Sequence, residues 1–263
     1  MNVTDTVFRF ATALVAVTAF HCATARPAET GFLNRSVTHD ATRQRYVVYV
    51  PDVVDGHRPP VVLFLHGSGE RGDDGLRQIE VGLGRAIRWH RERFPMIVVF
   101  PQAPPDTRWL GDEARFAMQA LDRSIAEFGG DPDRVYLTGL SLGGYGTWHL
   151  AMQHPDRFAA LVPVCGGIVK PESAQNVRQS PLTIGADDPY STAAEKVKHI
   201  PIWIFHGADD TLIPPSESRR MHDELRRLGA DVRYTEYPGV GHNSWDLAYG
   251  DPDLWNWLLR QRR

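Results

Sequence analysis

The apolar positions of this chain fall in short continuous runs. Val61 to Leu65, Met96 to Phe100, Val135 to Thr138, Ala160 to Val164 and Ile202 to Phe205 are each bounded by turn residues. A run of that length without polar alternation predicts a strand buried on both faces, as in a parallel sheet. Arg45 to Val50 and Val232 to Tyr237 add two more β-prone segments. Between these runs lie stretches with helical spacing, roughly 76–91, 112–128, 145–153, 215–228 and 251–259. In the second of them Phe116, Ala120, Leu121, Ile125 and Phe128 form one apolar face. In the fourth, Pro215 stands in the first turn and Gly229 just past the end. Strands and helices alternate without an internal repeat. That order predicts an α/β fold, a mostly parallel central sheet with helices on both faces, in a single domain over 45–263.

Three stretches depart from this rhythm. Residues 26–44 are mixed and polar and read as a loose lead-in. Residues 168–199 lack periodicity and are longer than a usual connection, which suggests a lid or substrate loop. At the N-terminus Arg9 precedes an apolar run from Phe10 to Phe20, and Ala23-Thr24-Ala25 fits a cleavage site. Residues 1–25 are therefore expected to be a signal peptide, and the protein secreted or periplasmic, although Asp5 is out of place in a basic leader. Cleavage there leaves one cysteine, Cys165, so no internal disulfide is expected and the thiol reads as core packing. Nothing after the leader is apolar for 18 residues, so no membrane span is expected in the mature chain. A net charge of −3 gives no sign of a nucleic-acid partner.

The candidate chemistry sits where predicted strands end. Gly139-Leu140-Ser141-Leu142-Gly143 reads Gly-x-Ser-x-Gly between a predicted strand and a predicted helix. A sharp turn there lifts the serine hydroxyl off the sheet and requires small residues where strand and helix approach closely. It also aims the Leu142 amide, at the positive end of a helix, toward any oxyanion formed beside Ser141. A serine hydroxyl is a weak nucleophile until a base contacts it and a carboxylate orients that base. Downstream, His242 lies in the last loop of the sheet and is the expected base. His206 ends a strand and reads as structural. Asp209 and Asp210 are adjacent and point different ways, and Asp210 fits the position of the acid better. The second oxyanion donor should come from the loop after His66-Gly67, with the Ser68 amide preferred over that of Gly67. Trp109 and Trp245 are candidate walls of a substrate pocket, with ordinary packing as the alternative for each. No His/Cys spacing suggests a metal, and no Gly-Lys-Ser/Thr follows the glycine loops, so no metal and no cofactor are expected.

Four blocks in order carry a resemblance: His66-Gly67-Ser68-Gly69-Glu70-Arg71-Gly72, Gly139-Leu140-Ser141-Leu142-Gly143-Gly144, His206-Gly207-Ala208-Asp209-Asp210 and Gly241-His242. Over about 40–260 the chain resembles the α/β-hydrolase superfamily. Within it, the chain looks like the secreted esterase and predicted-peptidase group related to phospholipase/carboxylesterases, dienelactone hydrolases and feruloyl esterases. The resemblance implies a Ser141–Asp210–His242 triad, an oxyanion amide at Ser68 and a serine carboxylesterase-type hydrolase. Dienelactone hydrolases proper carry a cysteine nucleophile, so Ser141 argues against that activity. The implied partner is a small or polysaccharide-linked ester, including acyl or feruloyl esters of plant polysaccharides. A serine peptidase is the rival enzyme. A catalytically inactive binding module on the same scaffold is the rival of another class.

Overall fold

The computed structural model describes residues 29–39, 42–52, 57–173 and 177–263. The predicted signal peptide lies outside them. Among the described residues the strands are β1 Gly31–His39, β2 Thr42–Val50, β3 Val61–Leu65, β4 Ile97–Pro101, β5 Val135–Leu140, β6 Ala160–Val164, β7 Ile202–Gly207 and β8 Val232–Tyr237. They form one sheet in the order β1-β2-β4-β3-β5-β6-β7-β8. The β1–β2 and β2–β4 pairs are antiparallel and all later pairs are parallel. The helices are α1 Leu83–Trp89, α2 Asp112–Phe128, α3 Leu142–Gln153, α4 Pro189–Val197, α5 Ser216–Arg227, α6 Trp245–Gly250 and α7 Pro252–Leu258.

The uninterrupted apolar runs are central strands because both their faces are covered. Along β3, Val61, Leu63 and Leu65 enter the core shared with α2, α3, α4 and α5. Val62 and Phe64 enter the opposite core, with α1, α6 and α7. The period of two sorts the side chains between the two layers. All eight strands and both helical layers together make the α/β-hydrolase fold.

Three local expectations give way. Within the loose lead-in expected over 26–44, residues 31–39 are strand β1, paired with β2 from Gly31↔Val50 to His39↔Thr42. Apart from the buried Val37, residues 31–38 are half-buried or exposed, so an edge strand here has no need of an apolar run. The single helix expected over 76–91 is broken into a 3-10 turn at Arg77–Ile79, α1, and another 3-10 turn at Arg91–Arg93. Gly82, at φ 59°, turns the chain between the first two. Within 168–199 the structure holds α4, whose start is marked by Asp188 accepting a hydrogen bond from the Tyr190 amide and by Pro189 in the first turn.

The rest of the fold converges on the β5–α3 turn. A Cβ on Gly143 would run into the backbone carbonyls of Leu65 and His66, and one on Gly139 into the carbonyl of Gly143. On Gly144 it would lie 2.8 Å from the Gly166 Cα and from the Val164 carbonyl oxygen. These obstacles are backbone and cannot step aside. Gly143→Ala is therefore expected to cost on the order of 4 kcal/mol or to prevent folding. Gly69→Ala, which meets nothing within 4 Å, should stay within about 0.5 kcal/mol. Urea denaturation of both variants checks this, and equal midpoints would contradict it.

Candidate active site

Ser141 sits at the junction of β5 and α3 with φ 53° and ψ −114°. A side chain in that region stores strain of about 1–3 kcal/mol. The Ser141 amide donates to the Val164 carbonyl at 3.0 Å, and its carbonyl accepts from Tyr145 N at 3.2 Å. The hydroxyl is left to face the loops at the C-terminal ends of the strands.

His242 arrives on the loop after β8. Its Nε2 stands 2.9 Å from Ser141 Oγ and its Nδ1 stands 2.7 Å from Asp210 Oδ2. A carboxylate only accepts, so Nδ1 carries the proton and Nε2 is free to accept the serine O–H. The loop is fixed by the Asp209 amide donating to the Val240 carbonyl at 2.9 Å. The Asp209 side chain is exposed, whereas Asp210 is buried. The structure thus brings Asp210, and not its neighbour, to the histidine.

Asp210 is held by four donors. Oδ1 accepts from the amides of Leu212 and Ile213, both at 2.9 Å. Oδ2 accepts from His242 and from His206 Nε2 at 3.1 Å. Burial alone would raise this carboxyl, but the hydrogen bonds from His206, His242 and the Ile213 amide outweigh it and hold it well below the usual carboxylate range. His206 Nε2 also faces the Ile213 carbonyl at 2.9 Å, so it must carry a proton, while its Nδ1 meets Ser218 Oγ at 2.7 Å. Sequence reasoning left His206 as a strand-end residue and missed this second histidine on the acid. Its position four residues before Asp210 was the available signal.

On the other side of Ser141 the register pairs Leu65 with Gly139, which sets His66, Gly67 and Ser68 beside Leu140 and Ser141. A Cβ on Gly67 would lie 2.8 Å from Leu140 Cδ1. His66 is fully buried. Its Nε2 accepts from the Ala103 amide at 3.0 Å, so Nδ1 holds the proton and donates to the Gly67 carbonyl at 2.6 Å. Ser68 begins a 3-10 turn and Leu142 begins α3, so neither amide has a partner inside its own helix.

The two tryptophans part company. Trp109 is 1% exposed, so the expectation of a pocket wall is corrected. Its indole N–H donates to the His66 carbonyl at 3.0 Å, its ring meets His66 edge-on, and Gly146 leaves room for it in α3. It is core packing beneath the loop. Trp245 is half-buried with its ring edge-on to His242, centroids 5.5 Å apart. Cys165 is fully buried beside Ser141, and burial pushes its thiol well above the usual range. Among the described residues no cluster of three or more His, Cys, Asp or Glu could hold a metal, and no helix is long and apolar enough to cross a membrane.

Part of the 168–199 segment is tied down by Glu217, a buried carboxylate at the start of α5. It accepts from the amides of Ile168 and Val169 at 3.0 and 3.1 Å and from the Tyr190 hydroxyl at 2.5 Å. The Tyr145 hydroxyl donates to the Val169 carbonyl at 3.0 Å. These bonds join the segment to the helix that follows Ser141. No sequence signal separated Glu217 from the other charges of α5.

A model of the prolyl oligopeptidase family matches residues 107–261, more than half of the chain, including Ser141, Asp210 and His242. The chain belongs to that family. Among its curated relatives, the "Probable isoprenylcysteine alpha-carbonyl methylesterase ICMEL1" of Oryza sativa subsp. japonica is 27% identical over 83% of this chain and 58% of its own length. Feruloyl esterase B of Thermothelomyces thermophilus is 25% identical over 80% of this chain and 79% of its own. Of solved structures, that of a thermostable esterase is 32% identical, with a TM-score of 0.74, over 88% of this chain and 63% of the other. The chain spans between half and three-fifths of the length of the plant methylesterases it matches.

Burial holds His66 down to a pKa of about 4, from an ordinary 6.5. The unfolded chain therefore takes up this proton first as pH falls. Stability is full above about pH 6.5 and is lost between about 6.5 and 4, by roughly 3 kcal/mol for this residue. His149, also held to about 4 by burial, acts in the same direction. Urea midpoints at pH 7.5 and 4.5 should fall apart in the wild type and close partly in His66→Asn. An unchanged gap in the variant would contradict the assignment.

Proposed function

We propose that this chain is a serine hydrolase that cleaves carboxylic esters through an acyl-enzyme. The observation that carries the reading is the continuous line from Ser141 Oγ through His242 to Asp210, with links of 2.9 and 2.7 Å. Ser141 attacks the ester carbonyl as His242 Nε2 takes its proton. Asp210 holds the ring in the correct tautomer and stabilises the imidazolium. The developing oxyanion is received by the amides of Leu142 and Ser68, each worth roughly 3 kcal/mol in the transition state. His242 then protonates the leaving alcohol, and water releases the acyl group by the same steps in reverse. Each residue needed for this is a side chain or amide of the chain itself.

Esterase relatives support the ester as substrate. The feruloyl esterase among them supports feruloyl esters as the finer class, with acyl or feruloyl groups on plant polysaccharides as the extension of that reading. A second reading, hydrolysis of peptides, is favoured by one observation, the match to the prolyl oligopeptidase family over 107–261.

A panel of p-nitrophenyl acetate, p-nitrophenyl octanoate, methyl ferulate and a peptide p-nitroanilide separates the readings. Ester turnover that a fluorophosphonate abolishes is expected. Cleavage of the anilide alone would favour the peptidase, and no turnover at all would leave a binding scaffold. Ser141→Ala should lower kcat by about 10⁶, and retained activity would overturn the nucleophile. Asp210→Asn should lower kcat by about 10⁴, far more than Asp209→Asn, and the reverse order would move the acid to Asp209.

A further inference from the structure

Three arginines gather on the loops around Ser141, although the chain as a whole is acidic. Arg71 follows β3, Arg108 follows β4 and Arg178 follows β6. All three loops leave the C-terminal ends of the parallel strands, the end at which Ser141 is presented. Arg71 Nε donates to the Ser68 carbonyl at 3.0 Å and its Nη1 to the Thr107 carbonyl at 3.3 Å. Arg71 thereby joins the loop that carries Ser68 to the loop that carries Arg108. Arg108 Nη1 donates to the Asp106 carbonyl at 2.8 Å, while its Nε is buried without a partner. Arg178 is exposed.

The contacts that fix Arg71 and Arg108 are backbone carbonyls. A carbonyl satisfies an N–H but does not neutralise a guanidinium. Among the described residues no carboxylate makes an ion pair with any of the three arginines. Burial is the first influence that lowers the Arg108 pKa, and the like charges of Arg178 and Arg71 add to it. Asp106 opposes them more weakly. Gathering like charges in a partly desolvated place works against folding, and an orphaned buried N–H adds to that cost. An anion relieves the repulsion, because the guanidinium fork binds carboxylates with charge-assisted hydrogen bonds.

We propose that Arg71, Arg108 and Arg178 form an anion subsite beside the Ser68 loop, which takes a carboxylate borne by the substrate. The inference rests on the ester-hydrolase reading and narrows it to acidic esters. Arg108 supplies the charge of its partly buried guanidinium. Arg71 holds the loop in place and adds charge. Arg178 brings an exposed guanidinium from the segment after β6. These residues set specificity. They take no part in the proton transfers at Ser141.

The test compares matched esters with and without a carboxylate. Monomethyl adipate and monomethyl suberate are set against methyl hexanoate and methyl octanoate. On the alcohol side, 4-acetoxybenzoate is set against 4-acetoxybenzamide. At low ionic strength at least one acidic ester should exceed its neutral partner in kcat/KM by about tenfold, and added salt should shrink that ratio. Arg108→Gln should reduce the ratio about tenfold. Arg178→Gln, an exposed change that leaves the packing alone, should reduce it in the same sense. Equal kcat/KM within every pair, or ratios that neither variant alters, would overturn the subsite. Failure of the hydrolase reading looks different: none of the esters, neutral ones included, would be turned over. In that event the binding of suberate to the intact chain, followed by calorimetry, decides the subsite. Binding that Arg108→Gln abolishes would support it, and no binding by the wild type would overturn it.

Discussion

Ser141 can keep its strained backbone only because backbone surrounds it on every side. The carbonyls of Leu65 and His66 close one flank of the turn, and Gly166 with the Val164 carbonyl closes the other. Three glycines let these chains meet at distances that no Cβ allows. The strain at one serine is thus secured by neighbouring strands on both sides, β3 and β6, whose own faces are buried in both cores. That constraint fixes where the hydroxyl points. It also fixes where the first amide of α3 points, so nucleophile and oxyanion donor are placed by the same turn.

The acid is placed by a different principle. Asp210 is surrounded by donors and not by close-packed backbone. Two amides orient one of its oxygens, and two histidines meet the other. His206 is in turn fixed by the Ile213 carbonyl and by Ser218 of α5. The carboxylate is thereby kept ionised in a buried place, and its remaining direction is toward His242. Glu217 applies the same logic at the start of α5, where amide and hydroxyl donors satisfy a buried carboxylate and tie the segment after β6 to α5.

Much of this was legible in the sequence, for reasons that differ from residue to residue. Apolar runs such as Val61 to Leu65 marked the central strands because burial on both faces leaves no polar alternation. The edge strand β1 left no such trace, since half-buried residues can be polar. Gly-x-Ser-x-Gly marked Ser141 because the turn tolerates little else, and loop position after β8 singled out His242. Wall and packing both stayed open for Trp109, because the sequence does not reveal that Gly146 opens a slot for it. Gly82 broke a helix whose apolar spacing ran on through it. His206 stands four residues before Asp210, a spacing that shows the two are near but not that they bond, whereas the contacts of Glu217 and the three arginines join residues far apart in the chain, and one sequence carries no record of such meetings.

The central claim is that the Ser141–His242–Asp210 line activates one serine among those of the chain. Peptide mapping after treatment with a fluorophosphonate tests it most directly. The account predicts a single phosphonyl adduct on the peptide containing Ser141, lost in His242→Ala. An adduct on another serine, or an unlabelled chain in which the wild type still folds, would contradict it.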